Sequence, residues 1–135
     1  MVERIPILKI GGILLVTIQV DFHDRVALAL QEDLTEKICS LSAKGVLIDI
    51  SALEMVDSFM GRVLGNIAKT SKLLDCHTVL VGMQPAIAIT ITELGISLKG
   101  IHTALTAEDG LRLLKGMTTS TSSRKERNGR QISRK

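Results

Sequence analysis

The chain reads as an α/β fold: a mixed β-sheet with an N-terminal hairpin and about four helices. Three observations predict it. Residues 46–50 and 78–81 are short apolar, β-branched runs with little alternation, the pattern of strands buried on both faces. Around them, apolar residues recur every three or four positions, so helices alternate with strands and the central strands are parallel. Gly11-Gly12 separates two further β-like runs, and two residues that both accept positive φ predict a tight hairpin with an antiparallel edge pair.

Taken in order, residues 6–10 and 13–20 are the hairpin strands. Gly11-Gly12 is a poor phosphate loop, because no helical pattern follows and no Gly-Lys-Ser/Thr is present. Residues 21–24 form a polar turn. Val26, Leu30, Leu34, Ile38 and Leu41 then mark a helix that buries one stripe, with Gly45 expected as its left-handed cap. Strand 46–50 breaks at Ser51. Val56, Phe59, Met60, Val63, Leu64, Ile67 and Ala68 follow at helical spacing, in a helix that opens around Asp57-Ser58 and runs to about residue 74. After strand 78–81, Pro85 suits the first position of a helix. Residues 86–94 are ambiguous: Ile87, Ile89 and Ile91 alternate like a strand, whereas Pro85 and Gly95 punctuate a helix. The strand–helix alternation decides for a short helix. Residues 101–104 make a last strand. Thr106-Ala107-Glu108-Asp109 resembles a capping box, and its helix carries Leu111 and Leu114 to an end near Gly116.

At 135 residues the chain is long enough for one domain with its own core. With two Phe and no Tyr or Trp, that core is built of aliphatic residues, and stacking platforms for single-stranded nucleic acid are absent. No apolar run reaches membrane-spanning length and the N-terminus has no signal-peptide core, which predicts a cytoplasmic protein. Cys39 and Cys76 have no ligand-like spacing and are expected as reduced, buried thiols, with a disulfide between them the alternative. His23, His77 and His102 fall on different elements, so neither a metal nor a cofactor is expected. The basic balance comes from the end of the chain. The whole is +3, but residues 117–135 hold six Lys/Arg against Glu126, or +5, which leaves −2 on residues 1–116. Residues 1–116 are therefore the expected domain. Residues 117–135 are a basic, Ser/Thr-rich tail, predicted to be disordered and solvated.

The candidate site is Ser58. A strand that delivers a serine to the first turn of a helix sets its hydroxyl where backbone N–H groups point outward, a place suited to an oxygen that gains negative charge. Taken alone, Asp and Ser at a helix start are most often plain caps, and a cap is the first role expected of Asp57. Arg62 lies one turn on. Gly61 and Gly65 share the stripe and are expected either to leave a low floor for a partner's backbone, with Lys69 beside it, or to permit tight packing within the domain. Asp49, inside a strand, lacks the acidic pair that a magnesium-dependent phosphoacceptor needs and is expected to make a structural hydrogen bond. Ser51 is expected as a turn residue, with a second phosphate acceptor as the alternative.

An N-terminal hairpin followed by β-α units, with Asp57-Ser58 opening the helix after the VLIDIS strand, resembles the STAS domain, the SpoIIAA-like fold of anti-sigma-factor antagonists and stressosome subunits. The resemblance covers about residues 4–116. The usual antagonist motif is Asp-Ser-Ser-Gly-Leu-Gly; here it is Asp57-Ser58-Phe59-Met60-Gly61-Arg62, a departure that resembles the small single-domain stressosome subunit RsbS. The resemblance implies a non-enzymatic scaffold that holds an RsbT-type serine/threonine kinase. Phosphorylation of Ser58 would release that kinase, RsbR-type paralogues would co-assemble, and an RsbX-type phosphatase would reset the switch. Asp57, Gly61, Arg62 and Gly65 are the implied partner-binding residues. Two rivals remain: a simple antagonist that binds an anti-sigma kinase one-to-one, and a small α/β enzyme. The enzyme is disfavoured because no histidine is near Ser58 to act as a base and no phosphate loop is present.

Overall fold

The computed structural model describes residues 4–19 and 23–118. Strands β1 (Ile7–Ile10) and β2 (Ile13–Thr17) are joined through Gly11, whose φ is +60°, and pair antiparallel with Ile10 opposite Ile13. Helix α1 (Asp24–Leu41), β3 (Gly45–Asp49), α2 (Ser58–Leu73), β4 (His77–Val81), α3 (Pro85–Glu93) and β5 (His102–Ala104) follow, then a last helix, α4, over residues 107–118. The sheet order is β1-β2-β3-β4-β5, parallel from β2 to β5.

Alternation along each strand divides the core in two. Leu14, Val16, Val46, Ile48 and Leu80 face one way, against Val26, Leu30, Leu34, Val63, Leu64, Ile67, Ile87 and Ile91 of α1, α2 and α3. Ile13, Leu47, Val79 and Val81 face the other way, against Leu114 and Leu111 of α4. The central strands are thus covered on both sides, which is why their sequences are nearly continuous apolar runs. Helix α4 lies close to the sheet at Gly110, where a Cβ would stand 2.5 Å from Val81 Cγ1 and 2.9 Å from Leu47 Cδ1. Thr106 caps it, its Oγ1 accepting from the Asp109 N–H at 3.1 Å.

Four expectations change. The left-handed residue after α1 is Ser42 (φ 50°), whose N–H reaches the Ile38 carbonyl; Gly45 instead opens β3, where a Cβ would press on Leu114. Strand β2 ends at Thr17, although Ile18 still donates its N–H to the Asp49 carbonyl. Helix α4 passes Gly116 and includes residues 117 and 118. Cys39 is exposed on the outer side of α1, while Cys76 is buried as expected. The rest of the tail, 119–135, lies outside the described residues. Among the described residues, no helix is long and apolar enough to cross a membrane.

Candidate functional site

The parallel strands all end at one pole of the domain, and the connection from β3 to α2 crosses that pole. It leaves the sheet at Asp49, whose Oδ1 accepts the Ser51 N–H at 2.9 Å, the structural role expected of that carboxylate. Ile50 donates to the Val81 carbonyl, and Gln84 Nε2, at the start of α3, donates to the Ser51 carbonyl at 2.8 Å. Buried Leu53 and Val56 pin the middle of the connection, so its direction into α2 is set by the core beneath it.

Asp57 is the N-cap. Its backbone is extended (φ −103°, ψ 177°), and its Oδ1 accepts the Met60 N–H at 2.8 Å. Its carbonyl begins the helical ladder by accepting the Gly61 N–H at 3.0 Å. One of the helix's free N–H groups, that of Met60, is thereby satisfied, which fits the cap expected of Asp57. Ser58 is the first helical residue and is exposed. Among the described residues its hydroxyl has no protein partner. The N–H groups of Ser58 and Phe59 precede any intrahelical acceptor and form the positive end of the α2 dipole. Arg62 is exposed one turn further and has no ion pair among the described residues. Asp57, Ser58 and Arg62 therefore share one accessible patch.

Gly61 and Gly65 do not floor that patch. Both are buried. A Cβ on Gly61 would overlap Ile96 Cδ1, and one on Gly65 would lie 3.3 Å from the Ser97 carbonyl oxygen. The two glycines admit the chain's own 96–97 segment against α2, so of the two readings the spacing allowed, the structure takes tight internal packing. Residue spacing alone could not choose, because the contact comes from a segment more than 30 residues away. One feature of the connection escapes sequence reasoning altogether: Met55, three residues before Ser58 and between core residues Leu53 and Val56, is 79% exposed. A single methionine in a loop carries no sequence signal of its direction.

Among the described residues, the one displaced titration lies elsewhere. Burial pushes the Cys76 thiol up to about 11, with Lys44 opposing and Asp75 adding to the rise. Cys76 stands at the start of β4, at the opposite pole from Ser58, as does its neighbour His77, so the two do not form a site with the serine. His23 and His102 stand before α1 and at the start of β5.

An aliphatic sheet with an antiparallel edge hairpin, and a capped serine at the mouth of the helix after its central strand, define the class. The sequence profile of the STAS domain matches residues 4–110, and the chain belongs to that family. Within it the likeness is to stressosome subunits of the RsbS type. A variant of RsbS from Moorella thermoacetica in which one serine is replaced by glutamate is 42% identical, with a TM-score of 0.78, over 87% of this chain and 99% of that one. A chain from a structure of the stressosome, described as a signal integration and transduction hub, is 44% identical with a TM-score of 0.74, over 84% of this chain and 98% of that one. The RsbT co-antagonist protein RsbRA of Bacillus subtilis is 29% identical over 116 residues, 86% of this chain. The chain spans about a third to two-fifths of the length of the curated relatives it matches. The unphosphorylated anti-sigma-factor antagonist SpoIIAA shares the fold, with a TM-score of 0.66 at 10% identity.

Proposed function

We propose that this protein is a phosphorylation-switched scaffold without catalytic activity of its own, acting in the cytoplasm. It holds an RsbT-type serine/threonine kinase while Ser58 is unmodified and releases it once Ser58 carries a phosphate. RsbR-type paralogues co-assemble with it into a large complex, and an RsbX-type phosphatase removes the phosphate. The observation that carries this reading is the exposed, unpartnered Ser58 hydroxyl at the first position of a capped helix, in a chain similar over nearly its whole fold to RsbS.

The physical chemistry is compatible with a surface switch. A phosphate adds roughly −1.5 to −2 charge at neutral pH. At the end of α2 it meets the unused N–H groups of Ser58 and Phe59 and the Arg62 guanidinium one turn away, while Asp57 opposes it. The charge is therefore tolerated by the domain but changes what the patch presents. Met55, Asp57, Ser58 and Arg62 make up the partner-contacting surface. Gly61 and Gly65 contribute indirectly, by seating Ile96 and Ser97 beside it.

The test is incubation with an RsbT-type kinase and ATP, followed by mass spectrometry of the peptide that contains Ser58. One phosphate on Ser58, absent from Ser58→Ala, with loss of kinase binding on modification, is the expected result. Modification elsewhere with Ser58 untouched would remove the reading. A co-assembly with an RsbR-type protein far larger than a dimer supports the stressosome role; a lasting one-to-one complex with an anti-sigma kinase would favour the simple antagonist.

A further inference from the structure

His77 and His102 open β4 and β5, far apart in the chain and on neighbouring strands of the sheet. The two strands run parallel with His102 opposite Val79, so His77 stands two residues before that position. Alternation puts both histidines on one face. Val79 and Val81 face α4, and Ala104 packs against the same cluster, which sets His77 and His102 on that side too. Their neighbours Cys76 and Ile101 turn the other way, into the core under α1, α2 and α3. No side chain of the β5 segment stands between the two histidines on the α4 face, because the residue two before His102 is Gly100, in a turn at φ +89°. On its other flank His77 lies opposite Gly45, where Leu114 fills the space. His77 is half-buried and His102 is exposed, and neither ring has a hydrogen-bond or ion-pair partner among the described residues.

We propose that His77 and His102 form a two-histidine site for a divalent transition-metal ion of the zinc class, and that the bound ion ties β5 to β4. An offset of two residues on strands about 4.8 Å apart puts the two Cα atoms about 8 Å from each other, with both Cβ atoms leaving the sheet on the same side. Rings that lean toward each other across that gap reach one ion through Zn–N bonds of about 2.0–2.1 Å. The donor set selects the metal. Among the described residues no third His, Cys, Asp or Glu joins the pair. Asp75 pairs with Lys44, while Glu108 and Asp109 pair with Arg112. Two neutral imidazoles without a carboxylate suit zinc, nickel or copper, and do not suit magnesium or calcium, which take oxygen ligands. Water fills the remaining coordination positions, so the ion is held reversibly at the surface. Strand β5 is a three-residue edge that meets β4 through three register pairs, and an ion bridging the two strand starts holds it where the ladder is shortest. The site lies at the strand starts, at the opposite pole from Ser58, and is independent of the proposed switch.

The test titrates zinc chloride into the full chain, carrying no added histidine tag, by isothermal titration calorimetry up to about 300 µM zinc. One ion per chain is expected, with a dissociation constant of about 1–100 µM. His102→Ala, at an exposed edge position, weakens binding by about tenfold or more, because one of two protein ligands is gone. His77→Ala does the same, and the double variant loses nothing further. His23→Ala and Cys39→Ser, which remove the other histidine and the exposed thiol, leave the affinity unchanged. Zinc raises the thermal midpoint of the wild type and not that of His102→Ala, and magnesium raises neither. In nuclear magnetic resonance spectra of the unaltered chain, the ring signals of His77 and His102 move together on adding zinc while those of His23 stay. This measurement and His102→Ala keep the idea testable even if half-buried His77 tolerates no substitution. Absence of binding up to about 300 µM, affinity indifferent to His102→Ala, loss of binding in Cys39→Ser, or movement of one ring without the other would overturn the proposal.

Discussion

At the mouth of α2, two adjacent residues divide the labour. The Asp57 carboxylate is spent on the Met60 N–H, and that leaves the Ser58 hydroxyl outside the helix with nothing to hold in the domain. An oxygen without a structural duty is free to be modified. The two cysteines show the opposite contrast. Cys39 is exposed on α1, and Cys76 is buried with its thiol pushed up from 9.0 to about 11. A thiol reagent at mildly alkaline pH should therefore modify Cys39 rapidly and Cys76 only on unfolding, as peptide mapping will show. The folded state holds the Cys76 proton more tightly than the unfolded chain does. Its contribution to stability is thus complete below pH 9.0 and is lost as pH rises toward about 11. Denaturant midpoints measured across that range should fall, and Cys76→Ala should flatten the fall.

At the scale of the element, α2 is a helix whose two glycines belong to the interior. Gly61→Ala forces Ile96 to move and is expected to cost about 1–3 kcal/mol, the range for overpacking a filled site, read as a lower thermal midpoint. Were the stripe open to a partner instead, the same change would leave the midpoint alone and alter only affinity. Most elements were legible from their residues. The Gly-Gly hairpin, the stripe of α1, Pro85 at the start of α3 and the Thr106 cap are local chemistry, and local chemistry is written in adjacent residues. Where reading failed, the deciding contact was distant. Gly45 looked like a helix cap because it follows α1, yet Ser42 takes the left-handed turn and Gly45 makes room for Leu114. Cys39 looked apolar enough to bury, yet its place on α1 falls outside the stripe set by Val26, Leu30, Leu34 and Ile38.

At the scale of the whole molecule, the described residues form one sheet with α1, α2 and α3 on one face and α4 on the other, and the parallel strands point their ends toward the Ser58 pole. The site rests on this frame without being part of it. A phosphate-like charge at Ser58 is accordingly expected to leave the fold intact. Ser58→Glu should change the unfolding free energy by no more than about 0.5 kcal/mol, as for other exposed positions, while kinase affinity falls. A large loss of stability in that variant would mean that the serine serves the fold rather than a partner.

The sequence by itself determined the class of fold, the order of its elements and the position of the serine at a helix start. Each of these depends on periodicity, caps and turns, whose physics acts over a few neighbouring residues. Only the tertiary structure decided that the glycines of α2 seat Ile96 and Ser97, that Met55 turns outward, and that Leu8 and Ile10 remain exposed. Those outcomes depend on which segments the folded chain brings together, and packing partners far apart in the chain leave no periodic mark on it.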